Sequence, residues 1–442
     1  LPHDAAFPTR KALNRKIWFW PIYILLLLGV TLAGTEFVSS FLVPSWPARD
    51  LRPISAGALG ENVSTMFADS PRLIPHYNAW GVRDRPRSIE WPADVRYRSV
   101  LVGDSFLEGY YIPAPISELV EQRWASEGHT DAEAINLGIA ATGPRQYYYR
   151  IKRVALALKP DTIVIFVYAG NDFIQMRFDD FAMPALAEEL PVPSILGTIA
   201  PRTDWLVSNR LGLSELGRNN REVPGENELL AEWAATPTAE LTTRVARHMQ
   251  QYYYPKLGEE TIREILARGG EPMRLALAQR KADHQTVAGW LLAGIIDWES
   301  GTWPMPKDAQ EADRMIDPKV VDDTLSWLVA AEELAKAHGA KLFVALAPVG
   351  IGDPEYVAFW KPWPQYFSYT LSADARHKRL AAALRQRGMQ VIDLREALDG
   401  VRGTYRLTDG HWTDLGTQIA ADRVARALLP SVVTSDKRER GE

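Results

Sequence analysis

Five short apolar runs constrain the fold of this 442-residue chain more than any other feature. They are Arg98 to Val102 (RSVLV), Ala134 to Leu137 (AINL), Thr162 to Tyr168 (TIVIFVY), Lys341 to Ala347 (KLFVALA) and Met389 to Leu394 (MQVIDL). Each is short, rich in β-branched side chains and largely without polar alternation, the pattern of strands buried on both faces. Amphipathic stretches separate them: Ile116 to Ser126, Tyr147 to Leu158, Val321 to Ala337 and Ala373 to Gln386. Strands alternating with helices predict a parallel sheet with right-handed crossovers, whose ligands bind beyond the carboxyl ends of the strands.

A chain of this length is long for one plain domain. The surplus is visible from 176 to 318, where helical pieces such as Leu229 to Trp233, Glu259 to Leu266 and Thr286 to Trp298 interrupt the alternation. Residues 176–318 are therefore expected to be a mainly helical insertion between the third and fourth strands. Residues 44–98, rich in Pro, Arg and Asp with no sustained period, read as an extended approach to the domain.

Near the N-terminus, Ile17 to Thr35 is an uncharged run of the length that spans a bilayer as a helix. Arg10, Lys11, Arg15 and Lys16 precede it, which predicts a cytoplasmic N-terminus and an outward-facing remainder. Trp18, Trp20 and Tyr23 fall where an interfacial aromatic belt would lie. A cleaved leader competes, with Thr31-Leu32-Ala33 as its small-residue site; the length of the run favours an anchor. Glu36 stands at the outer end, where it can reach the interface.

Composition excludes several functions. A net charge of −5 leaves no electrostatic footprint for nucleic acid. With no cysteine, the chain has no disulfide, thiolate ligand or cysteine nucleophile. Its eight histidines are scattered, none paired at helical ligand spacing, so neither a metal nor a cofactor is expected.

Polar residues in unusual company collect at the predicted carboxyl ends of the strands. Ser105 follows the first strand in VLVGDSFLEG, Gly138 the second in NLGIAATG, and Asn171 the third in YAGND; Asp409 and His411 lie in LTDGHWTDLG. A serine hydroxyl attacks well only when a base, usually a carboxylate-steered histidine, takes its proton. The oxyanion then formed needs donors, which a helix start and an amide can supply. Singly, Ser105 is an ordinary helix N-cap, Gly138 and Asn171 ordinary turn residues, and His411 an ordinary surface or core histidine. Order and position together point to one site.

These blocks resemble the SGNH or GDSL hydrolases. The resemblance implies Ser105 as nucleophile, His411 as base and Asp409 as its orienting acid, with the Ser105 and Gly138 N–H groups and the Asn171 amide as the oxyanion hole. Many members place two residues between aspartate and histidine, whereas only Gly410 intervenes here; should Asp409 face away, a backbone carbonyl or Asp414 would orient the base. The anchor, NAWGVRDRP and ATGPRQ resemble the membrane-anchored bacterial branch, over about residues 15–175 and 320–430.

The expected fold is α/β: a three-layer sandwich with a five-stranded parallel sheet in flavodoxin-like order, a helical insertion and one N-terminal transmembrane helix. The expected division is a cytoplasmic segment 1–16, an anchor 17–42, a linker 43–97, a core from 98–175 and 319–432, the insertion 176–318 and a tail 433–442. The expected function is a bacterial inner-membrane, single-pass esterase or acyltransferase with a periplasmic domain. It would work through an acyl-serine ester on an acyl ester substrate, with carbohydrate esters such as acylated envelope glycans as candidates. The alternative is a weakly active or inactive accessory subunit of a membrane protein complex. A carbohydrate-binding reading rests on the aromatic cluster AFWKPWPQYFSY, Ala358 to Tyr369; packing of the domain's own core competes with it, as it does for QYYYRI and QYYYPKL.

Overall fold

The computed structural model describes residues 10–42, 78, 82–109, 112–140, 142–175, 225–268, 306–407 and 410–440, and scattered positions within 196–203 and 271–301. Asp409, residues 43–77 of the expected linker, and most of 176–224 and 279–298 lie outside the described residues. The chain divides into two compact units, one of 1–46 with 191–219, the other of 47–190 with 220–442. The expected insertion is thus shared between the two.

The first unit is built on a helix, Arg10–Leu42, within which Phe19–Phe41 is long and apolar enough to cross a membrane. The second unit holds five strands: β1 (Tyr97–Gly103), β2 (Ala132–Gly138), β3 (Thr162–Tyr168), β4 (Lys341–Ala347) and β5 (Gln390–Asp393). All pair in parallel, in the order β2-β1-β3-β4-β5. This is the expected flavodoxin-like arrangement.

Successive strand residues feed two separate cores, as a period of two requires. Leu101, Val164, Phe166 and Ala345 face one core, which the long helix Asp414–Arg440 and Trp124 complete. Val100, Val102, Ile163, Ile165 and Val344 face the other, under the helix Pro318–Ala337. Trp124 Nε1 donates to Ala425 O at 3.0 Å and so fastens the helix Ile116–Ser126 to the C-terminal helix.

Two expectations change. The aromatic cluster forms helices, Pro354–Trp360 and Pro364–Gln386, each with proline in its first turn, where a missing N–H costs no helical bond. Phe359, Trp360 and Trp363 are all buried in the core, Trp363 to 1% exposure, so these three rings offer no stacking wall to a sugar. The other tyrosine run splits in the same sense, with Tyr147 and Tyr149 buried, whereas Tyr252 of the second run is exposed.

The end of the expected linker is built into the domain. Asp84 accepts from the Asn136 N–H at 2.8 Å, and Arg87 donates to Ala134 O at 2.7 Å, so both occupy backbone groups of the edge strand β2. Edge strands left open invite pairing with other chains; here side chains close the edge. Arg87 meets Asp84 at 2.8 Å and Glu121 at 2.6 Å, with Arg87 and Asp84 almost wholly buried. Burial pushes the Asp84 carboxyl up to about 6, against the pull of Arg87. Polarity without periodicity concealed this: the segment is polar because it completes a sheet edge. Replacing Arg87 with alanine leaves Asp84 buried without its cation, and is expected to cost about 3–5 kcal/mol in urea unfolding of the full-length chain. A loss below about 1 kcal/mol, the range of a surface pair, would contradict the buried clamp.

Candidate active site

The turn after β1 carries Ser105 at the start of a one-turn helix, Ser105–Glu108. Asp104 caps it: its Oδ1 accepts from the Phe106 N–H at 3.0 Å. Ser105 is therefore a helix-start residue whose partly exposed hydroxyl is not used as the cap, since the cap is supplied by its neighbour. Asp104 is fully buried, and burial pushes its carboxyl up to about 6, while the Phe106 N–H, the charge of His411 and the Asn171 side chain act to lower it.

The structure brings His411 to Ser105, with Nε2 2.8 Å from Oγ across 306 residues of sequence. The imidazole is held by packing as well. The Phe106 ring stacks on it with centroids 4.8 Å apart, and Trp412 meets the same ring edge-on at 4.8 Å. The loop bearing His411 closes as a small hairpin, in which Tyr405 bridges Trp412 and the Arg406 N–H donates to His411 O at 2.7 Å. Gly410 turns it with φ of 78°, a conformation that favours glycine.

Asp353, fully buried after β4, anchors the near arm of that hairpin. Its Oδ2 accepts from the Thr404 N–H at 2.8 Å, the Thr404 hydroxyl at 3.2 Å and the Tyr405 N–H at 3.3 Å. Asp414 is exposed at the start of the C-terminal helix; burial raises its carboxyl and Arg406 opposes the rise.

Gly138 ends β2 beside the Ser105 helix, and its N–H donates to Asn136 Oδ1 at 2.7 Å in this arrangement. What requires glycine there is space: a Cβ would lie 2.5 Å from Glu108 N and 2.8 Å from Leu107 C, the backbone of the Ser105 helix. The neighbouring Asn136 amide donates to Leu107 O at 3.1 Å and Arg83 O at 3.0 Å, joining β2, the Ser105 helix and the edge segment.

Asn171 lies just after β3, partly buried, its side chain reaching the Asp104 carboxyl. Beneath them Arg150 donates to Gly103 O at 2.9 Å, Leu137 O at 2.8 Å and Thr142 Oγ1 at 3.0 Å. Burial pulls its guanidinium down to about 10, against the nearby Tyr147, Glu108, Asp104 and Asp172. Asp172 in turn accepts from the Tyr147 hydroxyl at 2.9 Å and the Tyr168 N–H at 2.8 Å. Sequence reading passed over Asp104, Asn136, Arg150 and Asp353; a polar residue inside a buried strand or on the apolar face of a helix was the available signal.

Ser105, His411, Gly109, Ile112, Trp412 and Thr417 line a cleft of about 10 Å³, room for about one water-sized group. The arrangement can take a proton from a serine hydroxyl beside a helix-start N–H and an amide.

Residues 322–441 match the family described as "SGNH hydrolase-like domain, acetyltransferase AlgX". No curated protein matches the chain. Among solved structures, the chain is similar to a GDSL-like lipase from Bacteroides thetaiotaomicron VPI-5482 (10% identity, 78% of this chain, 92% of that chain, TM-score 0.32). It is also similar to a catalytic mutant of an acetylxylan esterase from Geobacillus stearothermophilus (10%, 76%, 94%, TM-score 0.33). A third is a lipase/acylhydrolase from Enterococcus faecalis (13%, 75%, 95%, TM-score 0.29). Over residues 322–441 the chain is thus similar to an SGNH hydrolase-like domain.

Asp104 gives the domain a testable pH dependence. Its folded-state pKa is raised, so its contribution to stability is fully present below the ordinary carboxylate range and is lost as pH rises through about 6. Asp104→Asn keeps an oxygen for the cap and removes the buried charge. Relative to wild type, the variant is expected to gain on the order of 3 kcal/mol in unfolding free energy between pH 4 and pH 7, as two pKa units imply. A difference that does not change with pH would contradict a buried, raised Asp104.

Proposed function

We propose that this protein is a membrane-anchored, extracytoplasmic serine esterase or O-acyltransferase that moves a short acyl group through an ester on Ser105. The observation that carries the proposal is the 2.8 Å contact of His411 Nε2 with Ser105 Oγ at the carboxyl end of β1. The small cleft beside it and the acetyltransferase description of the matching family favour acetyl as the group moved.

In the proposed reaction His411 takes the Ser105 proton as Oγ attacks the ester carbonyl. The oxyanion is held by the Ser105 N–H and the Asn171 amide, with Asp409 orienting the imidazole. Collapse expels the alcohol, which leaves with the proton from His411. A second hydroxyl then gives its proton to His411 and attacks the acyl-serine, releasing the acyl group and returning the proton to Ser105. Water as acceptor makes an esterase; a sugar hydroxyl of an envelope glycan makes a transferase.

The proposed location is the bacterial inner membrane, crossed once by the segment within 17–42, with the main domain periplasmic. Phe19–Phe41 supports it through its length, its mean hydropathy of 1.8 and its exposed apolar side chains. Arg10, Lys11, Arg15 and Lys16 support the orientation.

Incubation of the detergent-solubilised protein with a fluorophosphonate probe tests the nucleophile. Wild type is expected to label, Ser105→Ala not at all, and His411→Ala at least about a thousandfold more slowly. Equal labelling of Ser105→Ala and wild type would overturn the assignment.

A further inference from the structure

The helix Arg10–Leu42 carries a carboxylate within its apolar span. Glu36 lies five residues before the end of Phe19–Phe41, about 7–8 Å along the helix axis. An ionised side chain at such a depth needs partners. Its partners come from a distant part of the sequence: both carboxylate oxygens are 3.1 Å from the Arg202 N–H, and Oε2 also accepts from the Thr203 N–H at 2.9 Å and the Thr203 hydroxyl at 3.0 Å. One helical turn on, Ser39, 2% exposed, has its Oγ 3.4 Å from Thr203 Oγ1.

The chain leading to this contact suits an apolar medium. From Pro191 to Pro201 the sequence PVPSILGTIAP has no charge, and the first ionisable residue after it is Arg202. Ala200 is buried, whereas Ile199 is 63% exposed, as are Phe37 at 66% and Phe41 at 75% on the helix. In water these side chains would form an unpaired apolar surface; against lipid they are at home.

We propose that the described residues Ile199, Ala200, Arg202 and Thr203 belong to a second membrane-contacting element, held at the outer leaflet by Glu36, with Ile199 in the lipid. Glu36 is thereby a staple: its carboxyl oxygens accept from two backbone N–H groups and a hydroxyl that the bilayer could not satisfy. The lipid bilayer is the occupant because the exposed apolar residues of this element belong to the same compact unit as the span itself. The inference rests on the anchor reading of Phe19–Phe41.

Because the chain has no cysteine, single thiols can be placed without background. Ile199→Cys and Phe37→Cys proteins, spin-labelled in nanodiscs of phosphatidylethanolamine and phosphatidylglycerol, report collision with oxygen and with a water-soluble nickel chelate. Both labels are expected to be accessible to oxygen and protected from nickel. Adding Glu36→Leu is expected to raise nickel accessibility severalfold at position 199 alone; Thr203→Val, which leaves the helix untouched, should give a smaller rise in the same direction. A nickel-accessible label at 199 beside a protected one at 37 would overturn the second contact and leave the anchor standing. Nickel access at both would overturn the anchor reading, and a 199 label still protected in the Glu36→Leu and Thr203→Val proteins would overturn the staple.

Discussion

The buried guanidinium of Arg150 holds the carboxyl ends of β1 and β2 through Gly103 O and Leu137 O, and the site depends on that bond pair. Where parallel strands end, carbonyls lose their ladder partners, and buried polar groups left unpaired are expensive. Arg150 donates to both with one cation, Gly103 O also accepting from the Ile139 N–H at 3.0 Å, and Asp104, Glu108 and Asp172 lie close enough to hold its charge. The two strand ends thereby stay in register while the chain turns into the Ser105 helix on one side and into Gly138 on the other. Gly138 completes the fit, since the Ser105 helix passes where any side chain would stand.

His411 reaches this platform from the opposite end of the chain, and its placement is a problem of loop rigidity. The fully buried Asp353 fastens one arm of the hairpin to the turn after β4, and Phe106, the residue after the serine, packs on the imidazole itself. Serine and histidine are thus located relative to each other by an aromatic contact as well as by their hydrogen bond. Short-range order of this kind is what general-base chemistry requires, since small misplacements of reacting groups cost large factors in rate.

The central strands were legible almost to the residue. Thr162–Tyr168 and Lys341–Ala347 begin and end where the apolar runs do, because strands buried on both faces are apolar along most of their length. Helices behind prolines were less legible: the expected helical stretch begins at Ala373, whereas the helix starts at Pro364 with proline in its first turn. Of the site, Ser105 and His411 were readable from their motifs. The supporting polar residues were not, because Asn136, Arg150 and Asp353 act through backbone carbonyls and N–H groups that no side-chain pattern reveals. The steric constraint on Gly138 was not readable, because it depends on a neighbour 30 residues earlier in the chain.

The central claim is that the Ser105–His411 pair carries an acyl group. It is tested most directly by rapid acid quenching of the full-length protein mixed with an activated acetyl ester, followed by peptide mass spectrometry. The account expects an added acetyl group on the Ser105 peptide within the first turnover, absent from Ser105→Ala. Turnover of the ester by wild type with no acetyl on Ser105, or with the acetyl on another residue, would contradict it.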